Sequence, residues 1–251
     1  MSQKTIKITN GKILNYTISA PGYKTIHGSE LITADKIINK NMLAENDPNS
    51  VYTVGDRLGG IASFICYFNS TNPETFVDTK YAVFVLDAQY RTDNSRWGKN
   101  GTSGLPQYTN DTSLLSSKES ATYNTTYILN KYEPSDYPAF NSARNAASIN
   151  IEGNIYQAQL PNAFELQQIW IFRDKLDSVD PTLSNYPNYS LVSWGFPNSG
   201  YRIWTSNEYG ASNAWCYLKD SGLSAAGSGG SGNKWDSNPS GVVPVFEIPI
   251  E

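Results

Sequence analysis

The chain has 251 residues, of which 17% are charged and 13% aromatic, and its formal net charge is −4. A weakly acidic chain without clustered lysine and arginine gives no electrostatic case for binding nucleic acid. No run of about 18 apolar residues occurs, so no membrane span is expected, and the first residues lack the apolar core of a signal peptide. The length and composition predict a globular, β-rich protein with one large domain, or with a large domain and a small partner.

Residues 1–45 are predicted to form a small β module. Residues 3–18 alternate apolar and polar side chains around Asn10-Gly11, a dipeptide typical of a tight hairpin. A turn is predicted at residues 20–24, and two more short strands from Glu30 onward. The module resembles small bacterial Ig-like or carboxypeptidase-regulatory-like β-sandwich modules. Because it is too short to bury a good core alone, we expect it to pack on its neighbour or on another protomer.

The polar segment 44–50 marks the predicted boundary between domains 1–45 and 46–251. Near-continuous apolar runs at 61–68 and 81–86 then predict central strands of a sheet. Residues 91–127 are rich in Asn, Thr, Ser and Gly and are long for a structureless loop. We therefore expect a partly ordered insertion, with short strands at Tyr108 and at 123–129.

Two helices are predicted in the second half of the chain. The first covers the alanine-rich residues 141–149. The second follows Pro161, with Asn162 as its N-cap and Glu165 completing a capping box. Apolar residues from 164 to 176 recur near helical spacing, so this helix should pack under the sheet. A strand is expected at 191–194.

Residues 203–218 interleave large aromatic side chains with short polar ones, a mixture suited to binding surfaces. The pattern predicts a β-hairpin in which Trp204 and Trp215 are buried anchors and the residues between them face solvent. Residues 221–233 have the composition of a flexible loop. Residues 241–248 after them are predicted to be the closing strand of the sheet.

The residue types exclude several kinds of chemistry. His27 is the sole histidine and is interpreted as an ordinary surface or strand residue, so residues 28–251 cannot hold a Ser-His-Asp, Cys-His or histidine-based zinc site. Cys66 and Cys216 are expected as thiols, with a disulfide as the alternative. Glu208 and Asp236 are the carboxylate pair to test for glycoside hydrolysis, although the favoured role of Glu208 is that of a buried acceptor that organises the hairpin turn.

Several short motifs follow one another in a characteristic order. They are Val-Gly-Asp-Arg-Leu-Gly-Gly-Ile at 54–61, the strand at 80–86, Trp97-Gly98, Leu-Pro-Asn-Ala-Phe-Glu-Leu at 160–166, Trp-Thr-Ser-Asn-Glu-Tyr at 204–209, Asn-Ala-Trp at 213–215 and Val-Pro-Val-Phe at 243–246. The ordered set resembles the bacterial and phage branch of the C-type lectin fold, which is related to formylglycine-generating enzymes and includes the variable proteins of diversity-generating retroelements. It covers roughly residues 51–251. The resemblance implies an α+β, C-type lectin-like domain with two helices and a mixed or antiparallel sheet.

The motifs of the calcium-dependent sugar binders in this fold are missing. Those proteins carry Glu-Pro-Asn or Gln-Pro-Asp with a downstream Trp-Asn-Asp, whereas this chain has only Glu133-Pro-Ser and Lys234-Trp-Asp. Calcium prefers several converging oxygen ligands. We therefore expect calcium-independent binding, with no metal and no cofactor.

In the retroelement-diversified relatives, amino-acid variation clusters on one exposed face near the end of the chain. The resemblance implies that the variable, ligand-binding face here consists of Tyr201, Arg202, Asn207, Tyr209, Gly210, Ser212, Asn213, Cys216, Tyr217, Lys234, Trp235 and Asp236. The fixed framework would be Trp204, Ser206, Glu208, Ala214 and Trp215. Affinity is expected to depend on Tyr209, Tyr217 and Trp235, with hydrogen bonds from Asn207, Ser212 and Asn213.

The functional prediction is a receptor-binding or adhesion protein of a phage tail or a bacterial surface, without catalytic activity. Its partner would be a host-surface protein or glycan. The N-terminal module would serve attachment to a tail fibre or formation of a homo-oligomer. Two alternatives remain open: a glycan-acting enzyme that uses a carboxylate pair, and a structural decoration protein of a virion.

Overall fold

The computed structural model describes residues 12–20, 23–32, 51–92, 95–109, 111–185, 202–218, 222–225, 234 and 240–250. The chain divides into two compact units, Met1–Ser50 and Val51–Glu251. Helices and antiparallel sheets are both present, so the α+β class is confirmed. No helix among these residues has the length and apolar character needed to cross a membrane.

The first unit contains an antiparallel hairpin of β1 (Lys12–Ala20) and β2 (Tyr23–Ile32). The chain reverses between Ala20 and Tyr23, which confirms the turn predicted there. The predicted hairpin at Asn10-Gly11 lies outside the described residues. Glu30 belongs to the end of β2, not to the start of a new strand, because the pairing with β1 continues to Ile32. His27 is a strand residue opposite Thr17.

The second unit is built around an antiparallel sheet with the strand order β12-β5-β4-β3. Its strands are β3 (Arg57–Leu58), β4 (Ala62–Thr71), β5 (Asp78–Leu86) and β12 (Val245–Ile250). The two apolar runs predicted as central strands are β4 and β5, as expected. The last strand, β12, pairs with β5 from Val245 opposite Val85 to Ile250 opposite Lys80, so the closing strand is also confirmed.

A second sheet carries the predicted hairpin and has the order β10-β9-β8-β11. Its strands are β8 (Arg202–Gly210), β9 (Asn213–Leu218), β10 (Gly222–Ala225) and β11 (Ser240–Gly241). β8 and β9 are antiparallel, which confirms the hairpin over residues 203–218. The prediction of a flexible loop from residue 221 is wrong for residues 222–225, because β10 continues the sheet beside β9. The strand predicted at 191–194 lies outside the described residues.

The helices are α1 (Asp111–Leu115), α2 (Ala121–Lys131), α3 (Pro138–Ala146), α4 (Ala163–Ile171) and α5 (Arg173–Val179). The strand predicted at 123–129 is wrong, since these residues lie in α2. β-Branched side chains there favour a strand. The helix prevails because Ser120 caps it by accepting a hydrogen bond from Tyr123 N, and its buried residues recur at helical spacing: Ala121, Asn124, Thr125 and Ile128.

The other predicted helices are close to the observed ones. α3 begins at Pro138 and ends at Ala146, while Ser148 starts β6 (Ser148–Ile151), which pairs with β7 (Asn154–Gln157). The capping box of α4 is confirmed with both of its hydrogen bonds, from Glu165 N to Asn162 Oδ1 and from Asn162 N to Glu165 Oε2. α4 packs under the first sheet, as predicted. Its residues Leu166 and Ile169 share a core cluster with Ile65, Val83 and Val85.

Candidate functional site

The candidate site is the β8–β9 hairpin, and its two tryptophans are buried as predicted. Trp204 has no exposed surface and Trp215 has 2%. Their indole N–H groups donate to Ser95 O and Tyr108 O, at 2.7 and 2.8 Å. Trp97 donates in turn to Thr205 O of β8, at 2.7 Å. Three indoles thus connect the hairpin to residues 95–108: two bond to the backbone of that segment, and the third bonds from it to the backbone of β8.

The prediction that the side chains between the tryptophans face solvent is wrong for the first half of the hairpin. Residues 205–208 are all buried. Asn207 Oδ1 accepts from Ala163 N at 2.8 Å, and so provides an acceptor for the first turn of α4. Ser206 Oγ accepts from Asn124 Nδ2 of α2 at 3.0 Å. The polar residues of β8 are buried because the adjoining helices and loop use them as hydrogen-bond partners.

Glu208 is a buried acceptor, as predicted, but its partners lie outside the hairpin turn that it was expected to organise. Its carboxylate accepts from Ser103 N at 3.1 Å and from Ser103 Oγ at 2.9 Å, and it forms an ion pair with Lys234. Lys234 also donates to Gly101 O at 3.0 Å and lies 4.8 Å from the centre of the Trp97 ring. Burial lowers the pKa of Lys234, while the bond to Glu208 opposes that shift. Glu208 therefore holds neighbouring segments together, not the hairpin turn.

The residues of the predicted variable face differ in their burial. Tyr201, Trp235 and Asp236 lie outside the described residues. Five members are buried, so their assignment to an exposed face is wrong: Arg202, Asn207, Cys216, Tyr217 and Lys234. Tyr209, Gly210 and Asn213 are half-buried, and Ser212 is exposed. All members of the predicted framework are buried: Trp204, Ser206, Glu208, Ala214 and Trp215.

Packing explains why Arg202, Cys216 and Tyr217 do not face solvent. Arg202 lies in the middle of the sheet, opposite Leu218 on one side and Ser240 on the other. The Tyr217 ring packs 5.7 Å from that of Trp170, and Cys216 lies in the core cluster of Trp97. Burial raises the pKa of the Cys216 thiol to about 12. Cys66 and Cys216 are free cysteines, so the disulfide alternative is wrong.

Among the described members of the predicted face, those that reach the surface lie at the hairpin tip, residues 209–213. Its backbone is held in place, since Ala211 O accepts from Gly101 N at 2.7 Å and Ser212 O accepts from Lys234 N at 2.9 Å. The Tyr209 ring packs edge-on against Trp215, with ring centres 5.5 Å apart. The tip therefore has a fixed backbone that presents an aromatic ring, a hydroxyl and an amide.

A segment beside this tip belongs to the same surface, although it was not among the predicted site residues. Residues 99–102, called the facing loop below, are exposed and adjoin the tip through the Gly101–Ala211 hydrogen bond. Residues 99–102 fall within the insertion predicted at 91–127. A usable signal was present, because Trp97-Gly98 belongs to the motif set and is followed by a short run with Asn100, Gly101 and Thr102.

The described residues contain no group of three or more His, Cys, Asp and Glu side chains arranged to hold a metal ion. Comparisons of the chain with models of protein families, with curated proteins and with solved structures return no match. The function therefore has to be inferred from the chemistry that the site presents.

Proposed function

We propose that residues 51–251 form a C-type lectin-like domain of the retroelement-variable branch, and that the chain is a receptor-binding or adhesion protein of a phage tail or bacterial surface. The order of elements supports the proposal. A helix with the predicted capping box precedes a two-tryptophan hairpin, and the last strand joins the first sheet beside β5. These features agree with the fold that the resemblance implies. The target would be a host-surface protein or glycan, bound without calcium.

The observation that carries the proposal is the construction of the hairpin tip. Tyr209, Ser212 and Asn213 offer the aromatic and adaptable polar groups that binding surfaces use. The tip is supported by buried tryptophans and by the Glu208–Lys234 ion pair, so its backbone loses little freedom on binding. A preorganised polar and aromatic surface of this kind suits recognition of a macromolecular target.

The structure also restricts which residues can vary without loss of the fold. Surface changes usually shift stability by less than about 0.5 kcal/mol, whereas changes at buried, bonded positions cost much more. Of the described members of the predicted face, the tolerant positions are Tyr209, Gly210, Ser212 and Asn213. The facing loop adds Lys99, Asn100 and Thr102 as neighbours that contribute to the same surface.

A genomic observation tests the diversification. The expected finding is a near-copy of the terminal coding segment beside a reverse transcriptase gene, with differences only at adenines. The differences should fall at codons of the hairpin tip. Variation at the codons of Asn207, Cys216 and Tyr217 would contradict the assignment of the face.

A binding experiment tests the function itself. The full chain, fluorescently labelled, is incubated with a panel of intact bacterial cells, and bound fluorescence is measured. The double variant Tyr209→Ala/Asn213→Ala should bind about tenfold less at equal concentration, as expected for loss of central contact residues. Tyr156→Ala, on β7, serves as the matched control. Equal binding by the double variant and the wild type would show that the hairpin tip is not the site.

The two alternative functions are a glycan-acting enzyme and a structural decoration protein. Hydrolysis through Glu208 is not favoured, because that carboxylate is buried and already bonded to Ser103 and Lys234. A structural decoration protein would bury the hairpin tip between protomers. Light scattering separates that alternative from adhesion, since the double variant would then lower the oligomeric mass.

A further inference from the structure

A groove of about 850 Å³ lies between α2 and the connection from β4 to β5. Its volume falls within the roughly 300–1,000 Å³ typical of small-molecule sites. No residue of the hairpin tip lines it, so it is separate from the face proposed above. Nothing in the sequence analysis pointed to it, because α2 was predicted to be a strand.

One wall of the groove is an aromatic face of α2. Tyr123 and Tyr127 are four residues apart and therefore project from the same side of the helix. Their rings are stacked, with centres 5.9 Å apart and planes at 30°, and both side chains are half-buried. Each ring thus keeps accessible surface toward the groove while its position is fixed by its neighbour.

The opposite wall is a tightly bonded turn between β4 and β5. Asn72 Oδ1 accepts from Glu74 N at 2.8 Å and from Thr75 N at 3.1 Å. Tyr123 Oη donates to Glu74 Oε1 at 3.3 Å and so links the two walls. The groove is therefore held open at a defined width by side chains that also line it.

An exposed aromatic residue marks the rim of the groove. Phe76 lies between the lining residues Thr75 and Val77, and 80% of its surface is exposed. Its φ of +57° is in the left-handed region, which costs a residue other than glycine about 1 kcal/mol or more. The hydrogen bond from Phe76 N to Asn72 O, at 2.8 Å, holds this backbone in place. The turn therefore holds an exposed aromatic ring beside the groove.

The polar groups that line the groove are nearly all neutral. Hydroxyls of Thr122 and Thr126 and the amide of Asn130 lie on the α2 wall. Among the described residues that line the groove, the charged ones are Glu74 and Lys131, whose formal charges cancel. Binding phosphate groups or nucleic acid would call for several cations. A wholly apolar ligand would leave the hydroxyl and amide groups without partners.

We propose that this groove binds a neutral saccharide. The C–H face of a sugar ring carries slight positive charge and packs against the negative face of an aromatic ring, here Tyr123 or Tyr127. Its hydroxyls both donate and accept, which matches the mixture of Thr126, Asn130 and Glu74 around the rings. The groove is thus a second binding site, independent of the hairpin tip.

The test measures binding of neutral oligosaccharides to the full chain. The probes are hexasaccharides of glucose in α-1,4 and β-1,4 linkage, of mannose and of xylose, with oligogalacturonate and a sulfated oligosaccharide as charged counterparts. Binding is followed by saturation-transfer NMR and by calorimetry. We expect at least one neutral probe to bind, and each of Tyr123→Ala and Tyr127→Ala to weaken it about tenfold, equivalent to about 1.4 kcal/mol.

Controls separate the groove from the fold and from the hairpin tip. Tyr123 and Tyr127 also pack against the core cluster of Trp97, so thermal unfolding followed by tryptophan fluorescence must show that each tyrosine variant is still folded at the assay temperature. Asn130→Ala, at an exposed lining residue, provides a second, milder variant. Tyr209→Ala should leave saccharide binding intact even where it abolishes adhesion to cells. Three outcomes would overturn the proposal: no neutral probe binds, the charged probes bind more tightly, or affinity survives in all three groove variants.

Discussion

Lys234 and Glu208 form an ion pair in which neither side chain has any exposed surface. The pair joins residue 234 to β8, and the same ammonium donates to Gly101 O in the facing loop. Replacing a buried ion pair by apolar groups can be nearly neutral, whereas removing one partner leaves an uncompensated charge. The contact therefore positions three segments relative to one another, and it makes each partner dependent on the other.

Loss of Lys234 alone should be more damaging than loss of both charges. Lys234→Met leaves the Glu208 carboxylate buried and unpaired, and we expect it to lower the free energy of unfolding by about 3–5 kcal/mol. The double variant Lys234→Met/Glu208→Gln should lose clearly less. Urea unfolding followed by tryptophan fluorescence measures both, and it reports on residues 51–251 because all six tryptophans lie there. Equal destabilisation by the single and double variants would contradict a coupled pair.

Gly98 should not tolerate a methyl group, whereas Gly210 should. A Cβ at Gly98 would lie 2.2 Å from Cδ1 of Tyr137, a buried ring that also packs on Trp97 and Phe140. Because the ring cannot move away, Gly98→Ala should cost about 1–3 kcal/mol. Gly210 has no atom within 4 Å of such a Cβ, and Gly210→Ala should change stability by less than about 0.5 kcal/mol.

The same urea titration compares these two glycine variants. If Gly98→Ala unfolds at the same urea concentration as the wild type, Gly98 does not pack against the Tyr137 ring. A strongly destabilising Gly210→Ala would remove this position from the set that can vary at the hairpin tip.

Features determined by neighbouring residues could be predicted from the sequence. The capping box joins Asn162 and Glu165, three residues apart, and the two tryptophans of the hairpin stand on consecutive strands. Short apolar runs at 61–68 and 81–86, rich in β-branched and aromatic residues, identified β4 and β5. Where two local signals competed, as in α2, the β-branched residues suggested a strand although the cap at Ser120 and the buried spacing determine a helix.

The partners that bury the polar residues of β8 could not be predicted, because they are distant in sequence. Asn207 and Ala163 are 44 residues apart, and Glu208 and Ser103 are 105 apart. A run of Thr, Ser, Asn and Glu is typical of an exposed strand. Here those side chains accept hydrogen bonds from buried N–H groups, at the start of α4 and in the loop at Ser103. Only the three-dimensional arrangement reveals that role. The groove beside α2 was missed for a different reason, since residues 123–129 were predicted to form a strand and not part of a helix.

Asn207 should behave as a fixed structural residue. Its Oδ1 is the acceptor for Ala163 N, and Asn207→Ala leaves that buried N–H without its partner. Loss of a helix-capping acceptor costs about 0.5–2 kcal/mol, so we expect a decrease in that range. Asn207→Asp keeps the acceptor and places negative charge near a helix N-terminus, which is favourable, and should restore much of the stability. Equal loss in both variants would show that the carboxamide has another role.

Glu165 and Glu247 bring two carboxyl groups together at the starts of two helices. Glu247 accepts from Ala121 N and Thr122 N of α2, at 2.9 and 2.6 Å, while Glu165 completes the capping box of α4. Burial, followed by the nearby Glu247 carboxylate, raises the pKa of Glu165 well above its ordinary value of 4.5. Cys66, which lies close to both carboxyl groups, remains a neutral thiol because burial raises its pKa as well.

The raised pKa of Glu165 predicts the direction of a pH effect. The folded protein holds this proton more tightly than the unfolded chain does, so its contribution to stability is fully present below pH 4.5. That contribution is lost as pH rises toward the raised pKa of the folded state. Glu165→Gln keeps an oxygen for Asn162 N and supplies a permanent donor toward Glu247, without a titrating proton.

The variant should therefore gain stability relative to the wild type as pH increases. Urea unfolding at about pH 5 and about pH 8 measures the difference between the two proteins, in which the effects of all other titrating groups largely cancel. We expect the difference to be larger at the higher pH and in favour of Glu165→Gln. A difference that stays constant with pH, or that shrinks, would mean that Glu165 is ionised in the folded protein.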